Sequence, residues 1–129
     1  MEKKRVLIID DEKSFTQMVK LNLEETGKYI VRAENDGAKA IEAAREFNPH
    51  IIFLDIVMPD VDGGEIAQKL RADTNLAKIP VVFLTAIVKE NEVDSQDGII
   101  GGNPFIAKPV TTQKITDAIE KYTQGVDRQ

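Results

Sequence analysis

The chain contains no cysteine and no tryptophan, only one histidine, and no apolar run longer than five residues. Lack of cysteine excludes disulfides, thiol nucleophiles and thiolate-bound metals. One histidine, His50, cannot build a histidine-rich zinc site. Runs this short cannot cross a bilayer, which needs about 20 apolar residues in helical form. The basic start Met1-Glu2-Lys3-Lys4-Arg5 is followed by only four apolar residues before Asp10, so it does not read as a secretory signal. The chain is therefore expected in the cytoplasm, without membrane insertion. A formal charge of -5 and no basic stripe argue against direct binding to nucleic acid. With 129 residues, 42 % hydrophobic and 30 % charged, the composition fits one globular domain with one real core.

What the chain does have is a repeated alternation of two patterns. Val6 to Ile9, Tyr29 to Ala33, Ile51 to Leu54 and Val81 to Leu84 are short and rich in β-branched residues, continuous rather than alternating. Strands covered on both faces read this way. Pro104 to Ala107 is a weaker fifth strand, with Pro104 confined to its start or to an edge. Helical stripes fall between them. Phe15, Met18, Val19 and Leu23 form one, ended by Gly27; Ala38, Ile41 and Ala44 or Arg45 form another, ended by Asn48-Pro49. Ile66, Ala67 and Leu70 follow Asp62-Gly63-Gly64, and Ile115, Ala118, Ile119 and Tyr122 follow Thr111-Thr112. From Glu90 to Gly102 helix propensity is poor, so a frayed helix holding Val93 and Ile99 with a glycine-rich exit is expected there. This βα order predicts a parallel sheet with helices on both faces and right-handed crossovers.

Open parallel sheets bind ligands beyond the carboxyl ends of their strands. Asp10 and Asp11 follow the first strand, Asp55 ends the third, Thr85 the fourth, and Lys108 follows the fifth. One acid after one strand usually just begins a turn. Five polar residues at four strand ends are a set. Carboxylates a few ångströms apart raise one another's pKa unless a cation offsets them. Magnesium, a hard cation that keeps water and pairs with phosphate, suits such a wet acidic site, and manganese is a possible substitute. Calcium is the weaker candidate, because no run matches an EF-hand loop. Aspartate can itself take a phosphoryl group as a nucleophile. Asp55 is the candidate acceptor, with the Lys108 ammonium and the Thr85 hydroxyl placed to stabilise charge on the transferred oxygens.

These residues resemble the receiver domain of two-component response regulators. The resemblance rests on Val-Leu-Ile-Ile-Asp10-Asp11-Glu12, Phe-Leu-Asp55-Ile-Val-Met58-Pro59-Asp60-Val-Asp62-Gly63, Val-Phe-Leu-Thr85-Ala86 and Lys108-Pro109, in that order. It implies a three-layer, doubly wound, flavodoxin-like α/β fold: five parallel strands in the order 2-1-3-4-5 with about five helices. The receiver domain would span residues 3–124, and residues 125–129 would form a solvated tail. Asp55 would accept phosphate from a histidine of a sensor kinase. Asp11 and Asp55 would bind the metal directly, with the backbone carbonyl of Val57, while Asp10 acts through water. Lys108 would bridge to Asp55 or its phosphate, and the Lys108–Pro109 bond would be cis.

The same resemblance implies a switch in which Thr85 moves toward the phosphate and Phe105 turns into the vacated space. Read alone, without the resemblance, Phe105 is simply a core aromatic of the last strand. Val57 and Ile87 occupy places that tune phosphate lifetime, and both being apolar implies slow self-hydrolysis; Ile87 could instead face the core. Asp60 and Asp62 read as solvated turn residues, Met58-Pro59 as turn geometry, and His50 as a loop residue at the far end from Asp55. The expected protein is a non-enzymatic phosphoacceptor without an output domain of its own, acting through protein contacts. Its partners would be a sensor histidine kinase and a separate effector or a histidine phosphotransfer protein, and it would be a monomer or a weak phosphorylation-dependent dimer. Two readings compete with it. A small magnesium-dependent phosphatase would turn over many times, and a binding domain that merely kept the fold would take up no phosphate.

Overall fold

Two apolar faces on every central strand decide the architecture. A computed structural model describes residues 2–59, 61–86, 99–100 and 103–124. The elements run β1 (Lys4–Ile9), α1 (Lys13–Glu25), β2 (Tyr29–Glu34), α2 (Ala40–Phe47), β3 (Ile51–Asp55), β4 (Val57–Met58), β5 (Val61–Asp62) and α3 (Gly63–Ala72). They continue with β6 (Val81–Thr85), β7 (Ile99–Ile100), β8 (Asn103–Ala107) and α4 (Thr112–Tyr122). The main sheet has the order β2-β1-β3-β6-β8-β7. Its first five members pair in parallel, which is the expected 2-1-3-4-5 arrangement. The short β7 joins the edge antiparallel to β8, and β4 with β5 makes a separate two-stranded ladder.

Alternate residues of each strand feed opposite layers. Leu7, Ile9, Ile52, Leu54 and Phe83 face Ala40, Ala43 and Ala44 of α2 and Ile66, Ala67 and Leu70 of α3. Val6, Ile8, Ile51, Phe53, Val82 and Leu84 face Val19 and Leu23 of α1 and Ile115, Ala118 and Ile119 of α4. Each fully buried large side chain of this kind contributes about 1.5–3 kcal/mol relative to exposure, which anchors the central strands between the two helical layers. Anchored strands make fixed points of their last residues.

The helix starts are specified locally. Asp62 accepts from the Gly64 amide and Thr111 from the Lys114 amide, each capping the helix that follows. Gly63 is also required by space: a Cβ there would collide with the Asp55 carbonyl oxygen and lie 2.7 Å from the Ile56 Cα. At the outer strand, Lys20 of α1 donates to the Val31 carbonyl at 2.9 Å, while Glu24 accepts from the Val31 amide at 3.0 Å. Lys20 and Glu24 also pair with each other at 2.9 Å.

The structure corrects several expectations. Met18 is 45 % exposed and lies outside the buried stripe of α1, which Thr16 joins instead. Ala38 belongs to a tight 3-10 turn over Gly37–Lys39, held by the Asp36 side chain, so α2 begins later. Its inner face is accordingly Ala40, Ala43 and Ala44, with Arg45 exposed and paired to Asp73. Ile99 is in strand β7 rather than a helix, since it pairs with Pro104. Four α-helices, not about five, occur among the described residues. The frayed helix expected from Glu90 lies, apart from Ile99 and Ile100, outside them, as do Asp60 and Ile87.

Candidate functional site

The carboxyl ends of β1, β3, β6 and β8 meet on one side of the sheet. Asp10 directly follows β1 and is 0 % exposed, Asp55 ends β3 at 4 %, and Thr85 ends β6 at 1 %. Asp11, the next residue after Asp10, is exposed. One carboxylate oxygen from each of Asp10, Asp11 and Asp55 lies within 4.8 Å of the others. Parallel pairing explains the convergence, because Ile9 is in register with Leu54 and Asp55 with Leu84.

Lys108 enters from the loop after β8, where its amide donates to the Thr85 carbonyl at 2.8 Å. Its ammonium sits 3.0 Å from Asp10 Oδ2, 3.5 Å from Glu12 and 3.9 Å from Asp55. Unmodified, therefore, the lysine is bonded to Asp10 and only near Asp55. Burial opposes its charge, yet the hydrogen bond to Asp10 and the charges of Asp10, Asp55 and Glu12 hold its pKa above the ordinary lysine value. The Lys108–Pro109 peptide bond is cis.

Asp55 is the least comfortable of the acids. Burial first, then the neighbouring Asp10 charge, pushes its pKa up to about 6, with a smaller upward push from Asp11. Lys108 and a 3.2 Å hydrogen bond from the Val57 amide pull the other way without cancelling it. A group of three hard oxygen donors with one ammonium is short of positive charge. Divalent cations with oxygen preference fit this donor set.

The other residues singled out in the sequence take these positions. Val57 lies in β4, two residues beyond Asp55, and is 54 % exposed. Phe105 is partly buried against the α2 and α3 core cluster and pairs in register with Phe83. Asp62 caps α3 from an exposed position. His50 stands at the opposite end of the sheet, where its Nδ1 accepts from the Arg5 amide at 2.9 Å.

Sequence reasoning missed three supporting residues. Asn35 donates from Nδ2 to the Asp10 carbonyl at 2.8 Å and to Thr16 at 2.9 Å, fixing the turn that carries the acid pair. Glu12 reaches Lys108, and the Phe15 ring lies under the Lys108 ammonium at 5.2 Å from its centroid. Glu12 stands in the motif that carries the resemblance, but no local signal marks its contact with Lys108, nor Asn35 or Phe15 as site residues. Each depends on two segments far apart along the chain meeting in space.

The fold and the pocket together define a signalling receiver. The sequence profile of the response regulator receiver domain matches residues 6–120, and the chain belongs to that family. It is 34 % identical over 125 residues to the DNA-binding dual master transcriptional regulator RpaA of Synechocystis, covering 96 % of this chain and 51 % of that protein. It is 30 % identical to the alkaline phosphatase synthesis transcriptional regulatory protein PhoP of Bacillus subtilis, covering 91 % of this chain and 47 % of the other. The chain thus spans about half the length of these curated relatives. Among solved structures, the receiver domain of a signal transduction histidine kinase from Syntrophus aciditrophicus superposes with a TM-score of 0.80 at 28 % identity, over 98 % of this chain and 94 % of that one. The chemotaxis protein CheY4 of Vibrio cholerae gives 0.79 at 25 % identity, over 94 % and 99 %.

Proposed function

We propose that Asp55 accepts a phosphoryl group from a phosphohistidine of a sensor kinase and that the modified protein signals through protein contacts. A carboxylate oxygen of Asp55 attacks phosphorus, the phosphorus–nitrogen bond breaks, and its electron pair returns to the imidazole. Asp11, Asp55 and the Val57 carbonyl would hold magnesium, or manganese in its place, with Asp10 joined through water. When bound, the ion would neutralise charge on the phosphoryl oxygens. Lys108 and Thr85 supply the remaining positive charge and hydrogen bond. The supporting observation is the convergence of three carboxylates within 4.8 Å beside the Lys108 ammonium. The unit carrying this chemistry spans residues 3–124, which the family match over residues 6–120 supports.

Incubation with acetyl phosphate and magnesium should add about one phosphoryl group per chain, read by intact mass. Asp55→Asn should add none. Repeated turnover of an external phosphoester would support a phosphatase instead, and uptake retained in Asp55→Asn would move the acceptor elsewhere. Transfer onward to a phosphotransfer histidine, rather than retention, would identify a relay role. The Val57 side chain offers attacking water no hydrogen bond, so the aspartyl phosphate should be long-lived. Val57→Asn and Ile87→Glu should shorten its half-life, and an unchanged half-life in both would reject this point.

A further inference from the structure

We propose that Phe15 is a positioning residue for Lys108, its ring face seating the ammonium so that it can pass from Asp10 to the group carried by Asp55. The inference rests on the phosphoacceptor reading of Asp55 and adds a residue to it. Among the described residues, four groups approach the Lys108 nitrogen: Asp10 at 3.0 Å, Glu12 at 3.5 Å, Asp55 at 3.9 Å and the Phe15 ring at 5.2 Å to its centroid. Asp10 holds the charge along a directed hydrogen bond, while Glu12 and Asp55 attract it as ion pairs at longer range. The ring attracts it through its negative face without fixing a bond direction. Such a seat favours the cation at the pocket while leaving its three protons to whichever oxygen is most negative. Phosphorylation adds charge at Asp55, so the preferred partner changes and the seat need not.

The placement of the ring supports this. Phe15 is in the first turn of α1, anchored by packing against the cluster that contains Val19, Leu84 and Ile115. Lys108 comes from a loop after the last strand, and 18 % of its side chain remains exposed. A largely desolvated ammonium gains more from a ring face than a solvated one does. The Glu12 side chain, 61 % exposed, is screened by water and holds the lysine less firmly.

A purely structural role for Phe15 would depend on its shape and apolar surface. Fluorinated phenylalanines of nearly equal shape separate the two, because each fluorine weakens the negative face of the ring. With mono-, di- and trifluorophenylalanine placed at position 15 alone, the rate constant for phosphoryl uptake at saturating acetyl phosphate should fall stepwise, to about three- to tenfold below that of the unmodified protein. The donor concentration giving half the maximal rate and the melting temperature should stay the same. Phe15→Tyr should keep the rate, and Phe15→Leu should resemble the trifluoro protein. A flat rate across the fluorine series would overturn the proposal. Failure of the unmodified protein to take up phosphate at all would instead remove the acceptor reading of Asp55, and this inference with it.

Discussion

The two ends of the sheet both carry polar side chains and handle their charge in opposite ways. At the amino end the polar groups are met one by one: His50 accepts from the Arg5 amide, the Arg5 side chain donates to the Asn48 carbonyl, and Lys4 lies 3.6 Å from Glu120. Tyr29 donates to Glu120 at 2.9 Å, and burial, with that carboxylate, pushes its pKa up to about 12. Each of these groups has its partner within reach. At the carboxyl end Asp10, Asp11 and Asp55 crowd together with the ammonium of Lys108 beside Asp10 and Asp55, and burial with the Asp10 charge raises the Asp55 pKa to about 6. The difference separates a region built for stability from one that stores an unmet demand for positive charge.

The largest change should come from removing space at the acidic end. Gly63→Ala would push a methyl group into the Asp55 carbonyl and the Ile56 Cα, costing about 3 kcal/mol in urea unfolding and displacing the end of β3 at Asp55. A near-normal midpoint would show that the close approach relaxes at little cost.

Next comes the pH dependence of Asp55. Its folded pKa, about 6, lies above its ordinary value, so between these pH values the native state keeps a proton that the unfolded state has released. Without metal, its contribution to stability should therefore fall as pH rises from about 4 to 6, by at most about 3 kcal/mol, and then level off. The difference in unfolding free energy between the parent and Asp55→Asn should follow that curve. Above that window the variant should be the more stable of the two in chelator. Magnesium should raise the melting temperature of the parent and leave Asp55→Asn nearly unmoved; equal shifts in both would argue that Asp55 does not hold the ion.

Substitutions at the amino end should cost stability alone. His50→Ala should lose about 1 kcal/mol, having left the Arg5 amide without its acceptor, and Tyr29→Phe about 0.5–1 kcal/mol. Phosphoryl uptake in both should match the parent. A slower uptake in either would mean that the two ends are coupled through the sheet.

Much of this arrangement was legible in the chain itself. Continuous apolar runs marked β1, β3 and β6 because double-sided burial leaves no polar alternation, and the acids closing two of those runs marked the pocket. Helix phases were harder. Met18 and Leu23 are both large and apolar, and only packing against the strands shows that Leu23 is buried while Met18 is not. Ala38 looked like a helical residue because the Asp36 cap and the 3-10 turn are settled by hydrogen bonds that composition does not encode. Ile99 pairs with Pro104, a tertiary choice over local propensity. Asn35 and Phe15 were invisible as site residues for the same reason: the groups they serve come from elsewhere in the chain.

The pairing of Lys20 and Glu24 with Val31 bears on self-association. Val31 is in the outermost parallel strand, and its amide and carbonyl are the kind of free valence through which strands of separate molecules zip together. Here both valences are occupied by an ammonium and a carboxylate of the same chain. A foreign strand would have to dislodge that ion pair before it could add to the sheet at this residue, so stacking is obstructed at Val31.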